Sequence, residues 1–565
     1  MNTVVFIILR RMRMPLLLLS SVYAIATFGL TLIPGVDDQG NVWYMDFFHA
    51  FYFVSFMGTT IGFGEIPYPF TQAQRMWALV FLYLTVATWI YALGSLLSLL
   101  GNESLRRAFT DHRFGRQVRA LKDPFFLICG YGDTGSKLVR SLRRRLIQAT
   151  VIDIKQDRLD ALLFDDDPMY IPGLCVDAGD PDHLILAGIT HPMCRAVVAI
   201  TNDNAVNLHV AISARVLNPE LQVICRADAH AVESNMASFG TDHVINPYDT
   251  FAKNLALATY APYQFLLVEW FRKARGEPLS RLTKMPKGLW VICGFGRFGR
   301  AIYKEMTRHD IPVRVIETDS AMPDLPPDVI VGQSTEAPAL LDAGIEHAAG
   351  IIAGTDDDSN NLSIIVTARQ LNPDLFVIVR QTENANGPLF DSSHAHIVME
   401  PSEVIASKIR TLLTNPLIDE FLSLARAHDD NWARILTEEL RSISRDVLPD
   451  TWSTIIDEQS ASAVTTAINL GQMVRIEHLV QDHTDRSLAL PLVALYHSNE
   501  AGAYCMPDKQ APLAVGDKLL FAGTRASRSK MLWNLSNEVA LHYVRTGKTL
   551  PQTSIGRWAS ARFGS

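Results

Sequence analysis

Hydrophobic residues are distributed very unevenly along the 565-residue chain. Two uncharged stretches, 14–34 and 76–100, are each long enough to cross a lipid bilayer as a helix, which takes about 20 residues. A third uncharged run, 47–64, lies between them. Beyond these stretches, short apolar runs alternate with polar segments, as in domains that fold in water. The pattern predicts a membrane domain followed by a larger water-exposed part.

Basic residues flank the apolar region on both sides. Three precede it and six follow it: Arg10, Arg11, Arg13, then Arg106, Arg107, Arg113, Arg116, Arg119 and Lys122. Because positive charge marks the cytoplasmic side, both ends of the region are expected inside and the number of crossings is even. The third run is therefore predicted to enter and leave on one side, which is tolerated only where its backbone is buried in protein or lines a watery pore.

The N-terminal segment has one alternative interpretation. Residues 10–26 resemble a secretory signal peptide, with a basic start, an apolar middle and Ala24-Ile25-Ala26 as a cleavage-like site. Cleavage would leave the re-entrant run without an outer helix, so we favour an uncut span. The expected location is the inner (plasma) membrane, as a multi-pass protein with both termini in the cytoplasm.

The re-entrant run ends in the heptapeptide TTIGFGE, residues 59–65. This segment resembles the selectivity filter of potassium channels, in which backbone carbonyls replace the hydration shell of the ion. Glycines at alternate positions allow backbone angles closed to other residues, so that the carbonyls can line up. The resemblance implies K⁺ conduction, four chains that each donate one loop, and the filter residues Thr60, Ile61, Gly62, Phe63 and Gly64.

The rest of the membrane part fits this interpretation. Residues 46–58 are predicted to form a short pore helix, with Tyr52, Phe53 and Phe56 packed around the filter. Neither span carries a ladder of arginines, so a voltage sensor of the usual kind is not expected. Gly94 is a candidate gating hinge of the inner helix, and close packing between helices is the alternative reason for it.

Two copies of one motif follow the membrane part. Each copy has an apolar strand, then G-x-G-x-x-G, then an acid 18 residues after the last glycine. In this dinucleotide-binding fingerprint the glycines admit phosphate to a helix N-terminus and the acid binds ribose hydroxyls. The first copy supplies Gly130, Tyr131, Gly132, Asp133, Thr134, Gly135 and Asp153, and the second supplies Gly294, Gly296, Gly299 and Glu317.

The repeat continues beyond the fingerprints. The segments 201–204 and 355–358 correspond, and each is followed by Ala-Arg-x-Leu-Asn-Pro. The two copies resemble the regulator-of-potassium-conductance (RCK) family, whose domains form a gating ring with two domains per chain in a tetramer. On that resemblance Asp177 and Thr201 join the first binding site, whereas Gln333 replaces the corresponding acid in the second. The implied ligand is NAD or an ADP-type nucleotide.

A divalent cation such as Ca²⁺ is a further candidate ligand. Two acidic runs, 165–167 and 356–358, have the oxygen ligands that such an ion prefers, but a solvated loop is the simpler interpretation of each. No metal ligands are assigned. The second run falls where nucleotide phosphate or ribose would lie, so it is also a candidate for weakening anion binding there.

The predicted fold combines a membrane α-helical pore domain of two spans, two α/β Rossmann-type RCK domains and a small C-terminal α+β lobe. Alternating residues around 490–496 and 514–521 indicate the β-rich part of that lobe. The predicted boundaries are 1–100 for the pore domain, 101–124 for a linker, 125–285 and 286–450 for the RCK domains, 451–545 for the lobe and 546–565 for a tail.

Composition excludes several other classes. A net charge of −8 argues against nucleic-acid binding, which needs a basic footprint. The six cysteines never form a C-x-x-C pair and are interpreted as small core residues. A membrane-anchored NAD-dependent oxidoreductase is the alternative function, but we find no catalytic acid or base for it. A transporter would need several pore loops in one chain. We therefore expect a homotetrameric, lipid-embedded, ligand-gated K⁺ channel without enzymatic activity.

Overall fold

The computed structural model describes residues 2–100, 103–164, 169–273, 277–282, 284–444 and 447–549. The chain divides near Leu121 into two compact units. The first contains four helices and a two-stranded antiparallel sheet: α1 Asn2–Leu32, β1 Pro34–Val36, β2 Val42–Tyr44, α2 Phe47–Gly58, α3 Gln72–Leu100 and α4 Glu103–Arg119. Within them, Met12–Leu32 and Gln72–Ser98 are long and apolar enough to span a membrane.

The helices extend further than the apolar pattern indicates. The first predicted span starts at residue 14, but α1 begins at Asn2 and includes the preceding basic residues. The segment predicted as a linker, 101–124, is largely the helix α4. Arginine is a good helix former, so the helix continues where hydrophobicity ends. Hydrophobicity locates the lipid-facing part of a helix and not the ends of the helix.

The packing of α1 on α3 depends on one glycine. A Cβ atom on Gly29 would lie 2.1 Å from the indole of Trp77, so only glycine lets the two helices approach here. The Trp77 indole N–H donates to the carbonyl of Ala26 at 3.1 Å. The short helix α2 packs between the two long helices through Phe53, Phe56 and neighbouring apolar residues. Its Asp46 N-cap accepts from the backbone N–H of His49.

The second unit begins with a parallel six-stranded sheet in the order β5-β4-β3-β6-β7-β8. This is the strand order of a dinucleotide-binding Rossmann fold, with the topological switch point beside its first strand. Its elements are β3 Phe125–Cys129, α5 Asp133–Arg143, β4 Gln148–Asp153, α6 Gln156–Phe164, β5 Gly173–Cys175, α7 Pro181–Leu186, β6 Cys194–Ala199, α8 Asn204–Leu217, β7 Gln222–Arg226, α9 His230–Ser238 and β8 His243–Ile245. Two helices follow, α10 Pro247–Tyr260 and α11 Pro262–Arg272.

A second sheet repeats this topology in the order β11-β10-β9-β12-β13-β14. Its elements are β9 Trp290–Cys293, α12 Arg297–Arg308, β10 Val313–Glu317, β11 Ile330–Val331, α13 Ala337–Asp342, β12 Gly350–Ala353, α14 Asp358–Leu371, β13 Phe376–Arg380, α15 Gly387–Ser392 and β14 Ile397–Met399, with 3₁₀ turns at Ile345–His347 and Asn384–Asn386. The helices α16 Pro401–Thr414, α17 Pro416–Ala425 and α18 Asp430–Ser444 follow.

The two Rossmann domains exchange helices. Tyr248 and Leu255 of α10, which follows the first sheet, lie in the core of the second domain with Trp290. Ile405 and Ile409 of α16, which follows the second sheet, lie in the core of the first domain. The core of each Rossmann domain therefore contains a helix that follows the sheet of the other domain in the sequence.

A C-terminal lobe completes the second unit. It has an antiparallel sheet in the order β15-β18-β16-β17, flanked by short helices. Its elements are β15 Asp450–Ile455, α19 Ser462–Asn469, α20 Ile476–Val480, β16 Leu492–Asn499, β17 Gly502–Cys505, β18 Lys518–Gly523, α21 Arg525–Ser536 and α22 Glu538–Thr546. The predicted fold class is confirmed: two apolar spans, two Rossmann-type domains and a small α+β lobe.

Candidate functional sites: the loop after α2 and two glycine-rich turns

The helix α2 ends in a tight turn centred on a threonine. The N–H of Thr60 donates to the carbonyl of Met57 at 3.1 Å, and the N–H of Ile61 donates to that of Phe56 at 2.9 Å. These two bonds form a Schellman motif, in which the residue at the turn has a left-handed backbone and is usually glycine. Thr60 adopts φ of 61° there, which a β-branched residue rarely does.

Three alternate residues of the loop share this left-handed backbone. Gly62 has φ of 70° and Gly64 has φ of 98°, so positive φ recurs at Thr60, Gly62 and Gly64. In an ordinary strand successive carbonyls point to opposite sides. When every second residue has a left-handed backbone conformation, the carbonyl groups no longer alternate in direction. Neighbouring carbonyls can then face the same side. The loop thus has the backbone form that a row of parallel carbonyls requires.

Side chains on both flanks fix the loop. Phe63 stacks on Tyr52 with ring centroids 6.5 Å apart and meets Phe56 edge-on at 5.6 Å. Glu65 accepts two hydrogen bonds from the guanidinium of Arg75, at 2.8 and 3.0 Å, and one from the backbone N–H of Phe70. The Arg75 guanidinium, and next the Phe70 N–H, hold the pKa of Glu65 below its usual range. The third predicted aromatic, Phe53, packs on Phe56 and Phe70.

One face of the loop is open in the single chain. Ile61 and Phe63 are 60% and 65% exposed, and a Cβ atom on Gly62 or Gly64 would touch nothing within 4 Å. A Cβ atom on Gly94 of α3 would also touch nothing within 4 Å, so close packing inside one chain is not the reason for that glycine.

The two glycine-rich turns follow the first strand of each Rossmann domain. In the first, Gly130 has φ of 109°, and a Cβ atom on Gly135 would lie 2.2 Å from the Gly130 carbonyl oxygen. In the second, Gly294 has φ of 90°, and a Cβ atom on Gly299 would lie 2.0 Å from the Gly294 carbonyl oxygen. The first and third glycines of each motif are therefore required by the turn and by helix–strand packing.

The middle glycines of the two motifs differ in their surroundings. Nothing lies within 4 Å of a Cβ atom on Gly296. The same position on Gly132 is 3.5 Å from the guanidinium of Arg158, which also forms an ion pair with Asp153 at 3.2 Å. Arg158 was not singled out in the sequence. Its place five residues after the acid, where a positive group can meet phosphate, is the signal that could have found it.

The two acids, Asp153 and Glu317, end strands β4 and β10. Oxygen Oδ2 of Asp153 accepts from the Tyr131 N–H at 2.6 Å and from Arg158, while Oδ1 accepts from the Lys155 N–H at 2.8 Å. A carboxylate has about four acceptor sites, so Oδ1 retains capacity for a further donor.

Glu317 is more fully engaged than Asp153. Its Oε2 accepts from the Phe295 N–H at 2.5 Å, and its Oε1 accepts from the Thr318 N–H and hydroxyl and from the Asp319 N–H. Burial alone would raise the pKa of Glu317, but these hydrogen bonds, led by that from Phe295, outweigh it and lower the pKa. Three of these four donors share Oε1, so the remaining acceptor capacity of Glu317 is on Oε2, and in total Glu317 accepts one hydrogen bond more than Asp153.

Opposite charges begin the two helices behind the turns. Asp133 opens α5, and its side chain is exposed. Arg297 opens α12 at the equivalent position, where it pairs with Asp228 at 3.2 Å and lies over the ring of Tyr248. An acid at a helix N-terminus competes with a bound anion, whereas a cation assists it.

A buried clamp that sequence reasoning missed joins the helix α8 to the loop after β6. The amide oxygen of Asn207 accepts from the N–H and the hydroxyl of Thr201, and its amide nitrogen donates to the carbonyls of Thr201 and Arg226. Asn361 makes the same four bonds with Thr355 and Arg380. The identical spacing T-x₅-N in both copies was the available signal.

The remaining predicted residues have assigned places. Thr134 is buried in the first turn of α5. Asp177 is exposed two residues beyond β5, where its carboxylate accepts from the Gly179 N–H at 2.8 Å. Burial raises the pKa of the Cys293 thiol to about 12, in keeping with an inert core cysteine.

The acidic run 356–358 has structural roles. Asp356 pairs with Arg380, Asp357 caps α14, and Asp358 accepts from the backbone N–H groups of Thr382 and Glu383. Asp356 and Asp357 are nevertheless exposed, as in a solvated loop, and these bonds engage the carboxylates that we considered as cation ligands. The other run, 165–167, lies outside the described residues. Across the described part of the chain, no group of three or more His, Cys, Asp or Glu side chains is placed to hold a metal ion.

Fold and site together define a class of protein: two apolar helices of membrane-spanning length with a glycine-containing loop between them, followed along the chain by two Rossmann-type domains. The comparisons with known proteins agree. Residues 17–102 match the ion channel family, and residues 126–247 and 290–401 each match the TrkA-N domain. The chain therefore combines one segment that matches the ion channel family with two that match the TrkA-N domain, and the resemblance stated from its motifs is confirmed.

Individual relatives point the same way. The chain is 25% identical over 205 residues to "Potassium channel protein 1" of Methanocaldococcus jannaschii, which covers 36% of this chain and 59% of that protein. It is 27% identical over 171 residues to "Probable potassium channel protein 2" of the same organism, covering 28% and 50%. The chain thus spans between half and three-fifths of these relatives. A solved structure described as "GsuK Channel" covers 94% of this chain and 98% of its own, with 15% identity and a TM-score of 0.49.

Proposed function

We propose that the chain is one subunit of a homotetrameric channel that conducts K⁺ through the loop Thr60, Ile61, Gly62, Phe63 and Gly64. The observation that carries the proposal is positive φ at three alternate residues of this loop. It supports carbonyls that face one side, as ion coordination requires. A single loop coordinates from one side only, and its exposed face suits an axis where four copies meet. The potassium channel relatives support the choice of ion.

The position of Thr60 strengthens this proposal. A threonine occupies a left-handed helix end at which glycine would be free of strain, and such strain typically costs on the order of 1–3 kcal/mol. A residue retained at that cost is expected to use its side chain. A hydroxyl beside the end of a row of carbonyls provides one more oxygen ligand for the ion.

The proposed orientation places both termini in the cytoplasm of the inner membrane. Basic residues before the apolar part of α1 and after α3 support it, because cytoplasmic flanks carry the excess of Lys and Arg. The chain passes from α3 directly into α4 and then into the Rossmann domains. Movement of those domains would therefore reach the inner helix α3 through α4, with Gly94 as the proposed hinge.

The proposed regulator is a nucleotide of the NAD or ADP type bound to the first Rossmann domain. Unused acceptor capacity on Asp153 and the Arg158 guanidinium beside Gly132 support this domain as the site. The four hydrogen bonds that Glu317 already accepts support a mainly structural second domain. A nucleotide shifts the gate only if it binds the open and closed states with different affinity.

Gly62→Asp tests the pore. The full-length protein in planar bilayers should pass K⁺ in preference to Na⁺, and Gly62→Asp should abolish the current while the tetramer still assembles. Aspartate adds a side chain and a negative charge beside the carbonyls, where glycine leaves open space.

The matched control is Gly40→Asp. Gly40 has φ of 86° and equally open surroundings, but it lies in the turn between β1 and β2. Gly40→Asp should therefore leave conduction unchanged. Wild-type selectivity in a tetrameric Gly62→Asp channel would refute the filter assignment.

A further inference from the structure

A large cavity lies away from both glycine-rich turns. Its volume is about 1090 Å³, and it is enclosed by the C-terminal half of α5, the end of α11, the helices α16 and α17, and the lobe strand β15. Ligand-binding clefts commonly measure 300–1,000 Å³. The cavity lies beside the first Rossmann domain, where the C-terminal lobe packs.

The lining is strongly cationic. Eight Lys or Arg side chains line it against three acids, although the chain as a whole has a net charge of −8. Burial, and next the charge of Arg426, lower the pKa of Arg272 to about 10. Gathering like charges in a partly desolvated space costs free energy that a bound anion would recover.

Several of these cations and donors lack protein partners. Among the described residues, the guanidinium groups of Arg140 and Arg144 have no hydrogen bond or ion pair. Nε of Arg528 and the indole nitrogen of Trp452 are buried without an acceptor. Buried polar groups nearly always have a partner in protein, water or ligand. The two buried donors, together with the exposed guanidinium groups of Arg140 and Arg144, favour a ligand rich in acceptors. The buried amide oxygen Oδ1 of Asn415, which also lines the cavity, has no hydrogen-bond partner either and would suit a donor on the same ligand.

The chemistry of the acceptor follows from the donors. Arginine forks match phosphate oxygens in paired geometry, and several arginines around one space suit several phosphate groups. The volume exceeds that of inorganic phosphate and accommodates a molecule of nucleotide size. The aromatic side chains of Trp270 and Trp452 add apolar surface for an organic part.

We propose that this cavity is a second ligand site, distinct from the glycine-rich turns, which binds an organic polyphosphate between the first Rossmann domain and the C-terminal lobe. The proposal does not rest on the channel function. Its ligand would join the two parts that line the cavity, and so oppose any movement of the lobe against the first domain.

The test uses the full-length protein in phosphatidylcholine nanodiscs and inorganic tripolyphosphate as the probe. Calorimetric titration at constant ionic strength should give saturable binding, unchanged by saturating NAD. The double variant Arg140→Gln/Arg144→Gln should bind at least tenfold more weakly, Arg528→Gln should also weaken binding, and Arg140→Lys/Arg144→Lys should retain most of the affinity.

The repeat supplies a matched control. Lys304 and Arg308 occupy on α12 the positions that Arg140 and Arg144 occupy on α5, but they do not line the cavity. Lys304→Gln/Arg308→Gln should leave binding unchanged. Absence of saturable binding to the wild type, an equal loss in this control or displacement by NAD would overturn the proposal. Competition by phosphatidylglycerol nanodiscs, lost in Arg140→Gln/Arg144→Gln, would identify a lipid headgroup as the source of the phosphate.

Discussion

The two Rossmann domains share one topology and divide the features of a nucleotide site between them. The first has an acid with spare acceptor capacity and a guanidinium over its middle glycine, but it opens α5 with Asp133. In the second domain, α12 begins with Arg297, but Glu317 already accepts four hydrogen bonds. Duplication has preserved the backbone that phosphate binding needs, while the side chains around it have diverged. Strand order and glycine spacing alone therefore do not identify the binding domain.

The largest expected effect concerns what the two domains have in common. Gly135→Ala and Gly299→Ala should each destabilise the full-length protein by about 3 kcal/mol, because the new methyl group would overlap a backbone carbonyl. Differential scanning fluorimetry in detergent should show similar shifts for both variants. The middle glycines are the controls, and Gly132→Ala and Gly296→Ala should melt near the wild type. A stable Gly135→Ala protein would remove the packing argument for the third glycine.

The buried asparagine clamps should also be equivalent. Asn207→Ala and Asn361→Ala each leave several backbone and hydroxyl groups unpaired, at a cost of about 2 kcal/mol. Thermal unfolding would measure this loss. Asn→Asp retains the acceptor but loses the donor, so it should lie between wild type and alanine. If only one of the two clamps mattered, the domains would differ in their scaffold as well as in their sites.

The acids should separate the two domains. Asp153→Asn should weaken nucleotide binding at least tenfold, or about 1.4 kcal/mol, whereas Glu317→Gln should change it less than threefold. Both substitutions preserve the shape of the side chain, so calorimetry with NAD and ADP reports the loss of charge and acceptor capacity. The opposite pattern would move the site to the second domain. No nucleotide binding by the wild type would leave both domains as scaffold.

The smallest effect concerns the residue that opens each helix. Asp133→Asn should strengthen ADP binding about two- to fourfold, because a carboxylate at a helix N-terminus repels a phosphate by about 0.3–1 kcal/mol. Arg297→Gln, the corresponding change in the second domain, should leave that affinity unchanged. The difference should shrink as salt is added, since surface charges are screened. Weaker ADP binding in Asp133→Asn would contradict the assignment of phosphate to this helix end.

Much of the architecture was predictable because it depends on local requirements. A membrane span needs a continuous apolar run, and a filter loop or a phosphate turn needs glycine where φ is positive or a Cβ atom has no room. Such requirements appear as residue types at fixed spacing, as at Gly62, Gly130 and Gly294. The duplication was visible for the same reason, since both copies must satisfy the same backbone.

What the tertiary structure decided depends on residues distant in sequence. The sequence could not indicate that α10 completes the core of the second domain and α16 that of the first, because either helix suits either core by hydrophobicity. It could not indicate that Glu317 accepts four hydrogen bonds while Asp153 accepts three, because both are acids at the same spacing. Nor could it bring Arg140, Arg144 and Arg528 to one cavity. Spacing records the local needs of the backbone, whereas packing across the chain decides which side chains remain available to bind a ligand.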